Sequence, residues 1–360
     1  MARPLRLRRA SLQVAFSRGV RFPAQCFGFT VVTGGAWMIL VTNNEGTVGV
    51  PVTARLLAEG APGLDAIEAG IRLIEADPAV RTVGRGGWPN ILGEVELDAC
   101  LMDGSTLRSG AVGALRGFLH PVSVAREVMR RLPHELLVGE GAARFAQEIG
   151  AETADNLIPD SRRAWQAWFD AELTAEQKAA WPKTPLAELC RHAIDPEVGR
   201  DTTVFLAQDN SGAICSGTST SGWGWKYPGR LGDSPIIGAG SYADRRYGAA
   251  ACTGAGEMTI RCGTARSAVL YMKKGASVAD AVYEAVDDMR ALKGGLISRV
   301  TIHAIDPLGG HKVVAVNGAG DNVYWLWDGQ GVPRRCPAEP ITITPGEPRI
   351  SATARYTMRG

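Results

Sequence analysis

A mixed α/β globular domain is predicted by three observations. Apolar residues recur at helical spacing in both halves of the chain, β-rich runs flank turn residues, and 45% of the 360 residues are hydrophobic against 21% charged, enough apolar side chain for a large core. One or two domains fit this length. The elements place a single domain over residues 38–330, with a polar linker at 155–200, an N-terminal extension before it and a proline-rich tail at 331–360.

Arg3, Arg6, Arg8 and Arg9 precede a short apolar piece, Leu12 to Phe16, that Arg18 and Arg21 then interrupt, which makes a poor signal peptide. The next apolar stretch, Cys26 to Val41, contains three glycines and runs into Thr42-Asn43-Asn44. A membrane span needs about 20 apolar residues. A buried strand is therefore predicted, and no membrane partner. Two readings stay open for residues 1–37: an extension outside the fold, or sequence upstream of a true start at Met38.

Leu64, Ile67, Ile71 and Ile74 share one helical face. Pro121 opens a second helix, with Val122, Ala125, Val128 and Met129 on one face and Pro133 as its stop. From Asp155 to Arg200 the composition turns polar and carries Pro159, Pro182, Pro185 and Pro196, so helical fragments joined by a surface linker are expected. Thr203–Gln208 and Ala213–Ser219 read as strands around the turn Asp209-Asn210-Ser211-Gly212. A tight hairpin sets Thr202 opposite Ser219, or opposite Thr220 if the register slips by one. Helices follow at Thr264–Lys273, closed by Gly275, and from Ser277 with Asp280 as its capping partner. Strands at Val300–Ile305, Val313–Val316 and Asn322–Trp327 precede the tail.

The formal charge of +2 is spread along the chain, with no basic stripe to neutralise phosphates, so nucleic acid is not an expected partner. Seven scattered cysteines include no C-x-x-C pair and point to a reducing, cytoplasmic setting rather than a periplasmic or secreted one. The five histidines show no metal-ligand spacing, and there is neither a G-x-S-x-G elbow nor a P-loop. Gly238-Ala-Gly240 and Gly254-Ala-Gly256 lack the third glycine of a dinucleotide fingerprint. No cofactor or metal is expected.

Catalysis by a single residue remains. A threonine at a chain terminus offers a hydroxyl nucleophile and, on the same residue, an α-amine of pKa about 8 that serves as general base. An internal threonine becomes terminal when its hydroxyl attacks the preceding carbonyl and the resulting ester hydrolyses. Asp201-Thr202 could do this, although an Asp-Thr pair alone more often marks a turn or a strand start. The neighbouring runs change that: Asp201-Thr202-Thr203-Val204, Gly217-Thr-Ser-Thr-Ser-Gly222, Gly229-Arg-Leu-Gly-Asp-Ser-Pro-Ile236, Gly238-Ala-Gly-Ser-Tyr-Ala-Asp244 and Ala251-Cys-Thr-Gly254 follow in that order. Upstream stand Leu64-Asp-Ala-Ile-Glu-Ala-Gly70, Thr82-Val-Gly-Arg-Gly-Gly-Trp-Pro-Asn90, Leu97-Asp-Ala-Cys-Leu-Met-Asp-Gly104 and Val138-Gly-Glu-Gly141.

Together these runs resemble the glycosylasparaginase and L-asparaginase family of N-terminal-nucleophile hydrolases over roughly residues 40 to 320. The resemblance implies a four-layer αββα sandwich, self-cleavage between Asp201 and Thr202 into an α and a β chain, and a dimer of cleaved protomers. It makes Thr202 the nucleophile, Thr220 a neighbour that tunes its amine, and Thr82 a possible support for that amine. Arg230 and Asp233, with Leu231 and Gly232 between them, become the clamp for the α-carboxylate and α-ammonium of an asparagine-type substrate, as guanidinium and carboxylate chemistry also suggests. Thr253 and Gly254 become the oxyanion hole, with Ala255 and Gly256 completing the substrate-binding run. Taken singly, Arg230 and Asp233 read as a loop ion pair, Thr253 as a helix cap and Thr218 to Thr220 as an ordinary β-run.

The implied reaction is hydrolysis of the side-chain amide of asparagine or of N4-substituted asparagine to release aspartate. An isoaspartyl peptidase or free asparaginase on the same scaffold, and an uncleaved binding protein, are the alternatives. Two departures matter. Asn44 stands where glycan-specific members usually have tryptophan, and Arg200 where many have histidine. A sugar leaving group is thus put in doubt, and the leaving group is expected to be read loosely. Trp88, Trp223 and Trp225 fit either the pocket wall or core packing.

Overall fold

The alternation of side chains along its strands sorts this protein into layers. The computed structural model describes residues 37–193, 202–318, 320, 322–344 and 346. The expectations for residues 1–36, Arg200 and Asp201 lie outside the described residues. In chain order the strands are β1 (Ile39–Asn43), β2 (Leu97–Asp103), β3 (Arg108–Leu115), β4 (Leu136–Val138), β5 (Thr203–Gln208), β6 (Ile214–Thr220), β7 (Ser241–Asp244), β8 (Gly248–Gly254), β9 (Val300–Ile305), β10 (His311–Val316), β11 (Val323–Trp327), β12 (Arg334–Pro337) and β13 (Glu339–Ile341). Eight form one sheet in the order β12-β11-β1-β5-β6-β2-β3-β4, and five form a second in the order β13-β10-β9-β8-β7. The short strands β12 and β13 fall within the segment read as tail.

Helices cover the outer faces. Against the larger sheet lie α1 (Val50–Ala58), α2 (Gly63–Ala76), α3 (Pro121–Arg131) and α4 (Gly139–Glu148), whose apolar stripes join Leu101, Val112, Phe205 and Ala207 in one core. Helices α5 (Pro159–Glu172), α6 (Ala175–Ala180) and α7 (Leu186–Ala193) fill the segment expected to hold helical fragments. The smaller sheet is covered by α8 (Gly256–Cys262), α9 (Thr264–Lys273) and α10 (Val278–Arg290), packed on Ala250, Cys252, Ile302 and Val314. As expected, Ser277 caps α10 by accepting from the Asp280 N–H.

Between the sheets sits a third apolar layer, where Ile39, Val41, Val204 and Leu206 of the larger sheet meet Ala249, Ala251, Ile305 and Val313 of the smaller one. Along β5 the split is clean: Val204 and Leu206 face the other sheet, while Phe205 and Ala207 face the helices. Full burial of such aliphatic side chains stabilises by about 1.5 to 3 kcal/mol each. Helix, sheet, sheet and helix therefore stack as the four-layer αββα sandwich.

At one end of the inter-sheet layer the same alternation delivers polar residues. Asn43, Thr202, Thr218, Thr220 and Asp98 continue the inward rows of the larger sheet, and Thr253, Thr301 and His303 those of the smaller. That end holds the candidate site.

Candidate active site

Thr202 immediately precedes β5 and is 6% exposed. The hairpin register pairs Thr203 with Ser219, so Thr202 falls opposite Thr220, the one-residue slip rather than the first alternative. The cause lies in the loop. Asp209 accepts from Ser211 N at 2.9 Å and from Ala213 N at 3.1 Å, which draws Ala213 out of the strand, makes the connection five residues long and shifts every later pairing. Asn43, at the end of β1, locks the start of β5 by donating to the Thr202 carbonyl at 2.5 Å and accepting from Val204 N at 3.1 Å.

Hydroxyls surround Thr202. Its Oγ1 lies 3.3 Å from Ser234 Oγ, and the Ser234 carbonyl accepts from Thr218 Oγ1 at 2.8 Å. Thr220 Oγ1 donates to the Thr82 carbonyl at 3.3 Å and accepts from Gly222 N at 2.9 Å. Thr82 thus reaches the site through its backbone, which also accepts from Ser221 N. On the far face of β6, Ser219 Oγ donates to Glu75, whose buried carboxyl is pushed above its ordinary pKa by desolvation, opposed by hydrogen bonds from His120 and Ser219.

The loop between β6 and β7 supplies the charged pair. Arg230 donates from Nε and Nη2 to one oxygen of Glu257 at 3.1 and 2.8 Å, and its guanidinium lies 4.6 Å from the Trp223 ring centre. Its remaining nitrogen, Nη1, faces Gly222 and Gly232, where a Cβ would come within 3.2 and 3.1 Å of it. The fork is therefore held along one edge and presented along the other. Asp233 is 3% exposed and accepts from Thr259 Oγ1 at 2.7 Å. Burial pushes its pKa up to about 6, against the pull of the Thr259 hydrogen bond and the Arg230 charge.

Thr202, Thr220, Arg230, Gly232, Asp233 and Gly254 line one narrow cleft with a free volume of only about 10 Å³. Four other residues of the candidate set stand outside it. Leu231 packs its side chain against Gly113 of β3, and Ala255 is buried with its N–H donating to the Arg299 carbonyl. Gly256 lets α8 approach Asp233, since a Cβ there would sit 2.8 Å from both its backbone nitrogen and a carboxylate oxygen. Thr253 faces a second, larger cleft of about 260 Å³, shared with Asn43, Thr301 and His303. Gly254, at φ +101°, turns the chain between the two clefts with no room for a Cβ beside the Arg299 carbonyl.

Several participants carried no sequence signal strong enough to single them out: Asn43, Ser234, Glu257, Thr259 and Lys226. Lys226 is fully buried and donates to the Glu96 and Ser221 carbonyls at 3.1 Å each. Its pKa is lowered by burial, with Asp98 and Glu96 pulling the other way. Of the three tryptophans, Trp223 lines the cleft, whereas Trp225 joins Trp88 at 5.9 Å and stacks on Trp168 of α5 at 5.5 Å.

The chain matches the family model described as Asparaginase over residues 32–306. It is 38% identical over 250 residues to an N(4)-(beta-N-acetylglucosaminyl)-L-asparaginase of Elizabethkingia miricola, covering 69% of this chain and 68% of that protein. A plant-type L-asparaginase of Pyrococcus abyssi is 41% identical over 212 residues, 59% of this chain and 67% of its own. An isoaspartyl peptidase/L-asparaginase of Danio rerio is 35% identical over 294 residues, 80% and 86% of the two chains.

Proposed function

Since the chain belongs to the asparaginase family, we propose that it is an amidohydrolase that cuts itself before Thr202 and then hydrolyses the side-chain amide of asparagine or N4-substituted asparagine, releasing aspartate. The observation that carries this reading is the meeting of Thr202, Arg230 and Asp233 in one cleft, from segments that are apart in sequence.

In maturation the Thr202 hydroxyl attacks the Asp201 carbonyl, the peptide nitrogen leaves as the amine of Thr202, and water hydrolyses the ester to free that hydroxyl. In turnover the freed amine takes the hydroxyl proton as Oγ1 attacks the substrate's side-chain carbonyl. Asp233 receives the substrate ammonium and the Nη1 edge of Arg230 the α-carboxylate, while Glu257 keeps the guanidinium in plane. The Thr253 hydroxyl and Gly254 N–H stabilise the oxyanion; losing one such donor costs about 100 to 1,000-fold in rate. The leaving amine departs with the proton that the Thr202 amine held. Water then attacks the acyl-enzyme, releasing aspartate and restoring the hydroxyl.

The test is intact mass after incubation at neutral pH, followed by assay with L-asparagine and N4-(beta-N-acetylglucosaminyl)-L-asparagine. Wild type is expected as fragments of 201 and 159 residues that release aspartate, and Thr202→Ala as one inert 360-residue chain. A wild-type chain that stays whole, or is cut elsewhere, defeats the proposal.

A further inference from the structure

A lysine that reaches no solvent sits directly beside the site. Lys226, in the loop between β6 and β7, is 0% exposed, and its stem is fixed at both ends. At the backbone its carbonyl accepts from Ile91 N at 3.0 Å, and the preceding Trp225 donates its N–H to the Pro89 carbonyl. At the tip Nζ donates to the Glu96 and Ser221 carbonyls at 3.1 Å each and lies 3.9 Å from the Glu96 carboxylate. All of these are acceptors, which suits a group with three donors and no lone pair. Burying an ammonium is costly even when it is paired, and apolar residues in place of a buried pair often serve a fold equally well. Packing alone therefore does not account for a charge here.

One peptide unit does. The Ser221 carbonyl that receives the ammonium belongs to the same planar group as the Gly222 N–H, and in a trans peptide the two point in opposite directions. The Gly222 N–H is the group that donates to Thr220 Oγ1 at 2.9 Å. A charge at the carbonyl end orients this peptide and strengthens its donor end, because linked hydrogen bonds polarise one another. Thr220 Oγ1 in turn donates its proton to the Thr82 carbonyl at 3.3 Å. With that proton committed and one lone pair taken by Gly222, the hydroxyl meets Thr202, opposite it in the hairpin register, as an acceptor. An acceptor on that side draws an N–H of the Thr202 amine, so that the lone pair of the amine can turn to its own hydroxyl.

The turn that carries this peptide is seated between two cations. At Gly222, with φ +70°, an added Cβ would stand 3.1 Å from Lys226 Nζ and 3.2 Å from Arg230 Nη1. Their anchors are separate. Arg230 is held by Glu257 and Trp223, Lys226 by Glu96 and by the charge of Asp98. Arg230 lines the cleft and Lys226 does not.

We propose that Lys226 is a positioning residue for the nucleophile: through the Ser221–Gly222 peptide its ammonium fixes Thr220 Oγ1 as an acceptor for the amine of Thr202. This rests on the reading of Thr202 as an N-terminal nucleophile given above and adds a residue to it. Because Arg230 and Asp233 bind substrate on anchors of their own, loss of the ammonium acts on kcat rather than on KM. A role confined to the fold has a different signature, fewer folded molecules that each turn over normally.

The experiment is a double-mutant cycle between Lys226→Met and Thr220→Val, assayed on the better of L-asparagine and N4-(beta-N-acetylglucosaminyl)-L-asparagine. A recognition site for an added protease, ending immediately before Thr202, opens every variant alike. Intact mass counts the opened chains, so kcat refers to them only. Lys226→Met is expected to lower kcat about tenfold or more, with KM changed less than about threefold. In the Thr220→Val background the same change should cost less than about twofold, because the path through Thr220 is already gone. Where Lys226→Met alone fails to fold, Lys226→Met/Glu96→Gln, which leaves neither charge of that pair uncompensated, carries the same two expectations. Unchanged kcat, a loss that keeps its full size in the Thr220→Val background, or a rise in KM with kcat intact overturns the inference. If wild type opened by its own cleavage is active while any of these is found, only this inference falls. If wild type neither cuts itself nor releases aspartate once opened by protease, the proposed function falls with it.

Discussion

In the proposed reaction Asp233 meets a partner that arrives with the substrate. Its pKa near 6 lies about two units above that of a solvated aspartate, so between pH about 4 and 6 the folded chain binds a proton that the unfolded chain has released. The sign follows: stability contributed by the neutral form is full below pH about 4 and is lost as pH rises through about 6, at a cost on the order of 2 to 3 kcal/mol. A substrate ammonium repays this by stabilising the carboxylate. Protonation of the Thr202 amine lowers kcat as pH falls, and KM is expected to rise in addition below pH about 6; Asp233→Asn is expected to abolish this dependence of KM while raising KM at neutral pH by about tenfold or more. Steady-state kinetics from pH 5 to 8 check both. At Arg230 the corresponding variant is Glu257→Gln. Loosening the fork should raise KM roughly three- to tenfold. Unchanged KM would mean that Trp223 alone orients the guanidinium. Arg230, Asp233 and Thr202 were legible in the sequence because they sit in short runs with a recognisable order. Their partners were not, since Asn43 and Thr202 are 159 positions apart and Thr259 acts on Asp233 only because α8 folds back over it.

At the scale of elements, the hairpin β5–β6 decides which residue faces Thr202. Its strands could be read from β-rich runs, but its register depended on whether Ala213 belongs to the turn or to the strand, and Asp209 decides that by capping the Ala213 N–H. A one-residue slip turns every side chain to the opposite face. Inserting one alanine after Ala213, with the five-residue connection held by Asp209, is accordingly expected to set the new residue opposite Gln208, pair Thr202 with Ser219 and leave the chain uncleaved by intact mass. Asp209→Ala keeps the loop length but removes the acceptor of Gly63, Ser211 and Ala213, and is expected to lower stability by about 1 to 3 kcal/mol in urea unfolding of the Thr202→Ala chain. Helices with strong periodicity were equally plain, α2 and α3 above all. The segment holding α5 to α7 gave less away, because what organises it is a set of rings, Trp165, Trp168, Phe169 and Trp181, packed among themselves and on Trp225 rather than an apolar stripe of helical period.

For the molecule as a whole, three apolar layers hold four layers of structure, and the cleft opens where the middle layer turns from aliphatic to hydroxyl-bearing. Truncating the fully buried Phe205 to alanine is expected to cost about 3 to 5 kcal/mol, seen as a lower Tm. The number of layers could not be counted from period-two alternation, which tells that a strand has two faces but not what each face meets.

The order β11-β1-β5-β6-β2 gives the proposed break before Thr202 a consequence beyond chemistry. Strands β1 and β2 belong to the N-terminal fragment, β5, β6 and β11 to the C-terminal one, so backbone ladders run from one fragment to the other and back across a single sheet. Once the peptide bond is gone, neither fragment retains the whole of the larger sheet, although the smaller one lies entirely in the C-terminal fragment. The mature molecule is a pair of interleaved polypeptides, easy to keep together and hard to bring together: unfolding releases two species that must find each other again by diffusion. Recovery after denaturation should then be second order and improve with protein concentration, whereas Thr202→Ala, still one chain, should refold at a rate independent of concentration.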